Sequence, residues 1–227
     1  MEPLIAEDLL LLLLDDESGK LQPNVYLDLA VGSALLVQLA LDAYVRPDGQ
    51  ERRWTAPRIE ASSTTPDDPV LAEALAVVAE KPRTGQDLIG RLGKKRRDVL
   101  LDRLVQAGVL ERREDKLLGL FPRDRWPTRD ASRETALRGR LADALLRGGT
   151  PDDRTAALIG LLSALDLAHK VVDRQGVPAG DVKRRARELA EKYWAAGALR
   201  DAIQAAQSAV IAASVVATTA ATTTATS

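Results

Sequence analysis

Apolar residues recur at three- and four-residue intervals along most of the chain, the spacing of helices that bury one face. Three stretches are apolar almost throughout. Residues 9–14 are a run of leucine, predicting a buried helix closed by Gly19, and residues 31–43 and 155–172 read as two central helices buried on most sides. Amphipathic helices are predicted over 69–80 (Leu71, Leu75 and Val78 on one side), 94–107, 132–146, 181–195 and about 198–216. The run Thr84-Gly85-Gln86-Asp87 fits a capping box that opens a short helix to Leu92. Gly108 stops the helix after it, and Gly176-Val177-Pro178 separates the later helices.

Helical spacing fails in two places. Residues 43–45 and 52–59 flank the turn Pro47-Asp48-Gly49 and predict a small hairpin. Val109-Leu110, a charged tip at 111–116 and an apolar strand at 117–121 predict a second, followed by a loop at 122–128 that holds Trp126. In that strand Leu118 and Leu120 would share one face, which Leu117 and Phe121 cannot join. Residues 61–69 read as a Ser/Thr/Pro/Asp linker, and 218–227, almost pure Ala and Thr, as a disordered tail. The predicted fold class is all-α: one mainly helical domain around central apolar helices, with one or two small β-hairpins.

No stretch predicts a membrane span. The start is acidic, the leucine run is short, and Arg200, Asp201, Gln204 and Gln207 interrupt the apolar C-terminal segment. The expectation is a cytoplasmic protein that is at most peripherally associated with a membrane. Composition narrows the chemistry further. With no Cys, one His and 3% aromatic residues in 227, thiol catalysis, zinc fingers, His-cluster metal sites and aromatic stacking clefts lack raw material. No cofactor is implied, and there is no Gly-rich phosphate loop. A net charge of −1 argues against generic nucleic-acid binding.

That balance hides one concentration of charge, Arg91-Leu92-Gly93-Lys94-Lys95-Arg96-Arg97. It falls at the predicted entry of the 94–107 helix, where the macrodipole is positive and cations cost a few tenths of a kcal/mol each. A bound anion would resolve the conflict. On such a helix Lys94 and Arg97 would lie one turn apart, with Arg97 extending the stripe Leu100, Leu101 and Leu104. The plainer explanation is a solvated charged turn, balanced by Asp98 and Asp102.

Four motifs in order resemble the Golgi phosphoprotein 3 family. They are Leu4-Ile5-Ala6-Glu7-Asp8-Leu9-Leu10-Leu11-Leu12 with Asp16-Glu17-Ser18-Gly19-Lys20; Ser33 to Leu41; Leu100 to Leu110, which contains Leu-Val-Gln-Ala-Gly-Val-Leu; and Ala164 to Val172. The Arg- and Ala-rich composition, 24 Arg against 8 Lys, resembles the actinobacterial branch. The resemblance spans residues 1–217 and implies one mainly helical, non-enzymatic domain. That domain would bind phosphatidylinositol 4-phosphate as a peripheral membrane adaptor for protein clients. It also implies a headgroup pocket whose paired Arg positions fall on Lys94 and Arg97, whose Trp falls on Pro23, and whose third Arg falls on Gly32. The family hairpin implies membrane contact or homo-oligomer formation through Leu117, Leu118, Leu120 and Phe121. The expected ligands are therefore anionic or phosphorylated inositol lipids. Lys94 and Arg97 would be in contact, and Lys95, Arg96 and Arg91 would add diffuse attraction.

Two other readings remain. A capped helix, a basic helix and a charged hairpin also describe a winged-helix DNA-binding module, with Arg112-Arg113 at the wing. A scaffold or oligomer without a lipid ligand is the third. His169 reads as a core or boundary residue on the 155–172 helix; Trp54, Trp126 and Trp194 as packing anchors; Asp67-Asp68 and Asp152-Asp153 as caps.

Overall fold

The structure, a computed structural model, describes residues 2–15, 18–20, 27–48, 57–117 and 121–193. The predicted helix over 198–216, the tail at 218–227, Pro23, Trp54, Trp194, Leu118 and Leu120 lie outside the described residues.

The leucine run forms helix α1, Ile5–Leu13, with every residue buried. It ends at Leu13 rather than at Gly19, which instead accepts a bond from the Trp126 backbone N–H (3.0 Å). Helix α2, Leu27–Leu41, is buried from Ala30 to Leu39 and packs beside α1. Gln38 of α2 supplies what the buried end of α1 lacks: its Oε1 accepts the Ile5 N–H at 2.8 Å. The first hairpin is β1, Val45–Pro47, paired antiparallel with β2, Arg58–Ala61. Helix α3, Pro69–Ala79, follows; the Asp68 carboxylate caps it by accepting the Val70 and Leu71 N–H groups. Strand β3, Arg83–Thr84, then joins the outer edge of β2, making a three-stranded sheet where the sequence predicts only a hairpin. Two residues are too short a run to show alternation.

Helices α4, Gly85–Gly93, and α5, Arg96–Gln106, form a bent pair, with the Thr84 hydroxyl capping α4 at the Asp87 N–H. Strands β4, Arg113–Leu117, and β5, Phe121–Arg125, form the second hairpin. Its register corrects the sequence reading: the charged residues 113–116 are strand, and Leu117 pairs with Phe121. The residues at 122–125 are strand rather than loop. Helix α6, Ser132–Leu146, has the predicted bounds.

Helix α7, Asp153–Ala164, is capped by the Asp152 carboxylate (2.6 Å to the Thr155 N–H) and stops eight residues short of the apolar stretch. Asp166 takes a left-handed backbone, φ 55°, and the Leu167 N–H bonds back to the Leu162 carbonyl, which turns the chain out of the helix. Residues 165–172 thus stay apolar because Leu167, Ala168, Val171 and Val172 are buried in a turn. Helix α8, Ala179–Tyr193, returns along α7. The predicted all-α class holds, with two small sheets. One core runs through all eight helices of the described residues. Among those residues no helix is long and apolar enough to cross a membrane.

Candidate functional site

The corner between α4 and α5 is set by α2, which makes its most extensive contact with α4. That contact is backbone on backbone. A Cβ added at Gly32 would sit 2.0 Å from the Ile89 carbonyl oxygen, and one at Gly93 would sit 1.6 Å from the Asp28 carbonyl oxygen. Glycine is required at both positions for α2 and α4 to approach this closely. The resemblance implies an Arg at the Gly32 position, and no side chain fits there.

Pinned at Gly93, α4 ends and the chain reverses through two lysines. Lys94 is the C-cap of α4, and Lys95, the N-cap of α5, holds a left-handed backbone with φ 60°. The predicted helix start is therefore two residues early. Lys94 is not on the helix, and the one-turn spacing with Arg97 does not exist. Lys94 and Lys95 instead occupy the exposed outside of a tight corner. The Lys95 side chain gives α5 no capping hydrogen bond, so the amide groups of the first turn open beside these cations.

The cations of the cluster divide into two kinds. Arg91 pairs with Asp87 at 2.9 Å, Arg96 with Glu73 of α3, and Arg97 with its neighbour Asp98 at 2.9 Å. Lys94 and Lys95 have no carboxylate within ion-pair distance among the described residues. The Arg97 pair is exposed on both sides, and such pairs contribute about 0–1 kcal/mol, so Asp98 is readily exchanged for another anion. Val99 stands next to this group at 41% exposure, the exposed large hydrophobic residue of the described chain. The sequence reading passed over it. Its signal was phase: Val99 lies a helical step off the buried stripe of Leu100, Leu101 and Leu104.

What holds α5 in place is a charge network in the core, also missed from sequence. Glu7 and Asp8, both under 5% exposed, open α1. Arg103 of α5 donates to Glu7 (2.8 Å) and to Asp68 (2.8 Å); Arg133 of α6 reaches Asp8 (2.7 Å) and Glu7 (3.2 Å); Arg154 of α7 reaches Asp8 (2.8 Å). Burial opposes the charge on Arg103, and its bonds to Asp68 and Glu7, with their negative charge, more than offset it, leaving its pKa raised. Two adjacent acids at the head of a leucine run are the sequence signal, since a buried acid needs partners.

The other predicted residues do not gather at the corner. The β4–β5 hairpin packs chiefly on itself, and Arg112 ties its base to Asp124 (2.7 Å) and Asp102 (3.7 Å). His169 lies in the turn after α7 rather than on a helix. Trp126 is half-buried against the core, as an anchor would be.

No curated protein matches the chain. The profile of Golgi phosphoprotein 3 (GPP34) matches residues 5–206, from the buried leucine helix past α8. With that match covering most of its length, the chain belongs to the Golgi phosphoprotein 3 family.

Proposed function

We propose that this protein is a non-catalytic adaptor that docks on anionic membrane surfaces, through the α4–α5 corner, and takes phosphorylated lipid headgroups there. The observation that carries this reading is the pair Lys94 and Lys95, unpaired among the described residues at the uncapped start of α5. Backbone amides and ammonium groups then converge on one anion, a combination suited to phosphate. Arg97 joins by leaving Asp98. Arg91 and Arg96, held by Asp87 and Glu73, contribute diffuse field. Val99 adds an apolar side chain beside the cations, as surface-lying helices do. In this reading the protein works at the cytoplasmic face of a membrane and holds protein clients, and the β4–β5 hairpin supplies membrane or self-association contacts through Leu117, Leu118, Leu120 and Phe121.

The third Arg of the implied pocket falls on Gly32, where α4 leaves no room. The ligand is accordingly a phosphate-bearing headgroup read mainly by charge, and Lys94 supplies a point charge rather than a guanidinium fork.

The winged-helix reading keeps one supporting observation, the succession α4–α5–hairpin. Against it, Arg103 is committed to the core network, Arg112 to Asp124 and Arg113 to Glu111. Co-sedimentation with vesicles separates the readings. Binding that rises with the anionic lipid fraction, falls with salt and weakens in Val99→Asp supports docking. Equal recovery with neutral and anionic vesicles sinks it, and salt-sensitive duplex-DNA binding without vesicle binding favours the winged helix.

A further inference from the structure

The turn structure that replaces the end of the predicted 155–172 helix builds a second feature. Between α7 and α8 the chain lines an open cavity of about 680 Å³. Its frame is fixed from below. Val171 and Val172 are buried, and Arg138 of α6 donates to the Val171 carbonyl at 2.7 Å. Its far side turns through Gln175 and Gly176, both with positive φ, and ends at Pro178, against the first turn of the 15-residue helix α8.

The charges around this cavity are unbalanced. Lys170 and Arg174 line it together with Asp173, two cations to one acid, and neither cation has a carboxylate within ion-pair distance among the described residues. The two acids nearby are engaged: Asp166 with Lys183 (2.8 Å), and Asp173 with the Gln175 N–H (3.2 Å). His169 lines the cavity too. Its Nδ1 is buried without a partner, which leaves Nε2 as the nitrogen able to meet a ligand. Its pKa is lowered, first by burial, then by Lys183 and, more weakly, by Lys170 and Arg174, against an opposing pull from Asp166. Positive potential therefore converges on the ring. The lining holds no Phe, Tyr or Trp, which disfavours a stacked base and suits a polar ligand.

We propose that this cavity is a second anion site, taking a small polar phosphate-bearing ligand, with Lys170 and Arg174 on the phosphate and His169 Nε2 on a neighbouring oxygen. The site belongs to the α7–α8 connection and does not depend on lipid docking at the α4–α5 corner. A soluble metabolite and a lipid headgroup present the same phosphate chemistry to it.

The chain has a single His, so its imidazole resonances report on this site without assignment ambiguity. The full-length protein is titrated with inorganic phosphate, with a soluble inositol phosphate, and with phosphatidylcholine vesicles carrying a phosphorylated inositol lipid. The expected result is a saturable shift of the His169 resonances. Lys170→Ala with Arg174→Ala should weaken it at least tenfold, while Lys94→Ala with Lys95→Ala leaves it in place. Both Lys170 and Arg174 are exposed, so the variant should keep the wild-type melting temperature. Response to the soluble probes assigns a free metabolite, and response to vesicles alone assigns a headgroup. An imidazole unmoved by all three probes overturns the proposal, as does a shift that survives loss of Lys170 and Arg174.

Discussion

Lys95 concentrates the functional argument in one residue. A non-glycine side chain at φ 60° costs about 1 kcal/mol or more relative to glycine, and here it gives no capping bond in return. The packing of α4 and α5 against α2 offsets this strain, and the ammonium group is left unpaired at the corner. Urea unfolding should therefore find Lys95→Gly at least as stable as wild type and about 1 kcal/mol more stable than Lys95→Ala, with vesicle binding weakened in both. A Lys95→Gly protein less stable than Lys95→Ala would mean that the backbone is not left-handed.

His169 gives a second prediction at this scale. Its folded pKa lies below the ordinary imidazole value, with burial the leading cause, so the folded protein holds it neutral while the unfolded chain takes up a proton. Stability then falls as pH drops through the unfolded value near about 6.5 and levels off once the folded group protonates too. Between about pH 7.5 and about pH 5.5, the wild type should lose more stability than His169→Gln. Parallel pH profiles for the two proteins would contradict this.

At the scale of elements, the corner depends on how α2 meets α4. Gly32 and Gly93 let the two backbones touch, and that contact positions Lys94 and Lys95. Gly32→Ala should cost at least about 2 kcal/mol in chemical denaturation, because the added Cβ meets backbone that cannot move aside. A neutral Gly32→Ala would show that the two helices are separated by more than the structure gives.

Element existence was readable from sequence wherever periodicity was long. Helices α3 and α6 fall where the spacing of Leu71, Leu75 and Val78, and of Leu137, Leu141 and Leu145, puts them. Reading failed where backbone conformation, not apolar spacing, sets the boundary. The left-handed residues Lys95 and Asp166 are not glycines, so nothing in their type announces a helix end. The second hairpin was misregistered because apolar Leu117–Phe121 resembles a strand and charged 111–116 a tip, while the pairing runs the other way. The cation cluster was legible as a cluster. Its division into paired arginines and free lysines was not, because Glu73 lies 23 positions from Arg96 and joins it only through the packing of α3 on α4.

At the scale of the molecule, charge is sorted by depth. Deep in the core, Glu7 and Asp8 gather arginines from α5, α6 and α7, and removing one partner from such a set strands a buried charge at a cost of about 3–5 kcal/mol. At the surface, most of the remaining described arginines meet a carboxylate, while Lys94 and Lys95 at the corner and Lys170 and Arg174 at the α7–α8 turn do not. A net charge of −1 therefore coexists with local groups of unpaired cations. The family match spans residues 5–206, which include the buried leucine helix and the central helices.

The measurement that decides it is the affinity of Lys94→Ala/Lys95→Ala for anionic vesicles at low salt, set against wild type. Each surface lysine is worth about 1 kcal/mol against an anionic membrane, so the account predicts a loss of about 30-fold with an unchanged melting temperature. Affinity equal to wild type would contradict it.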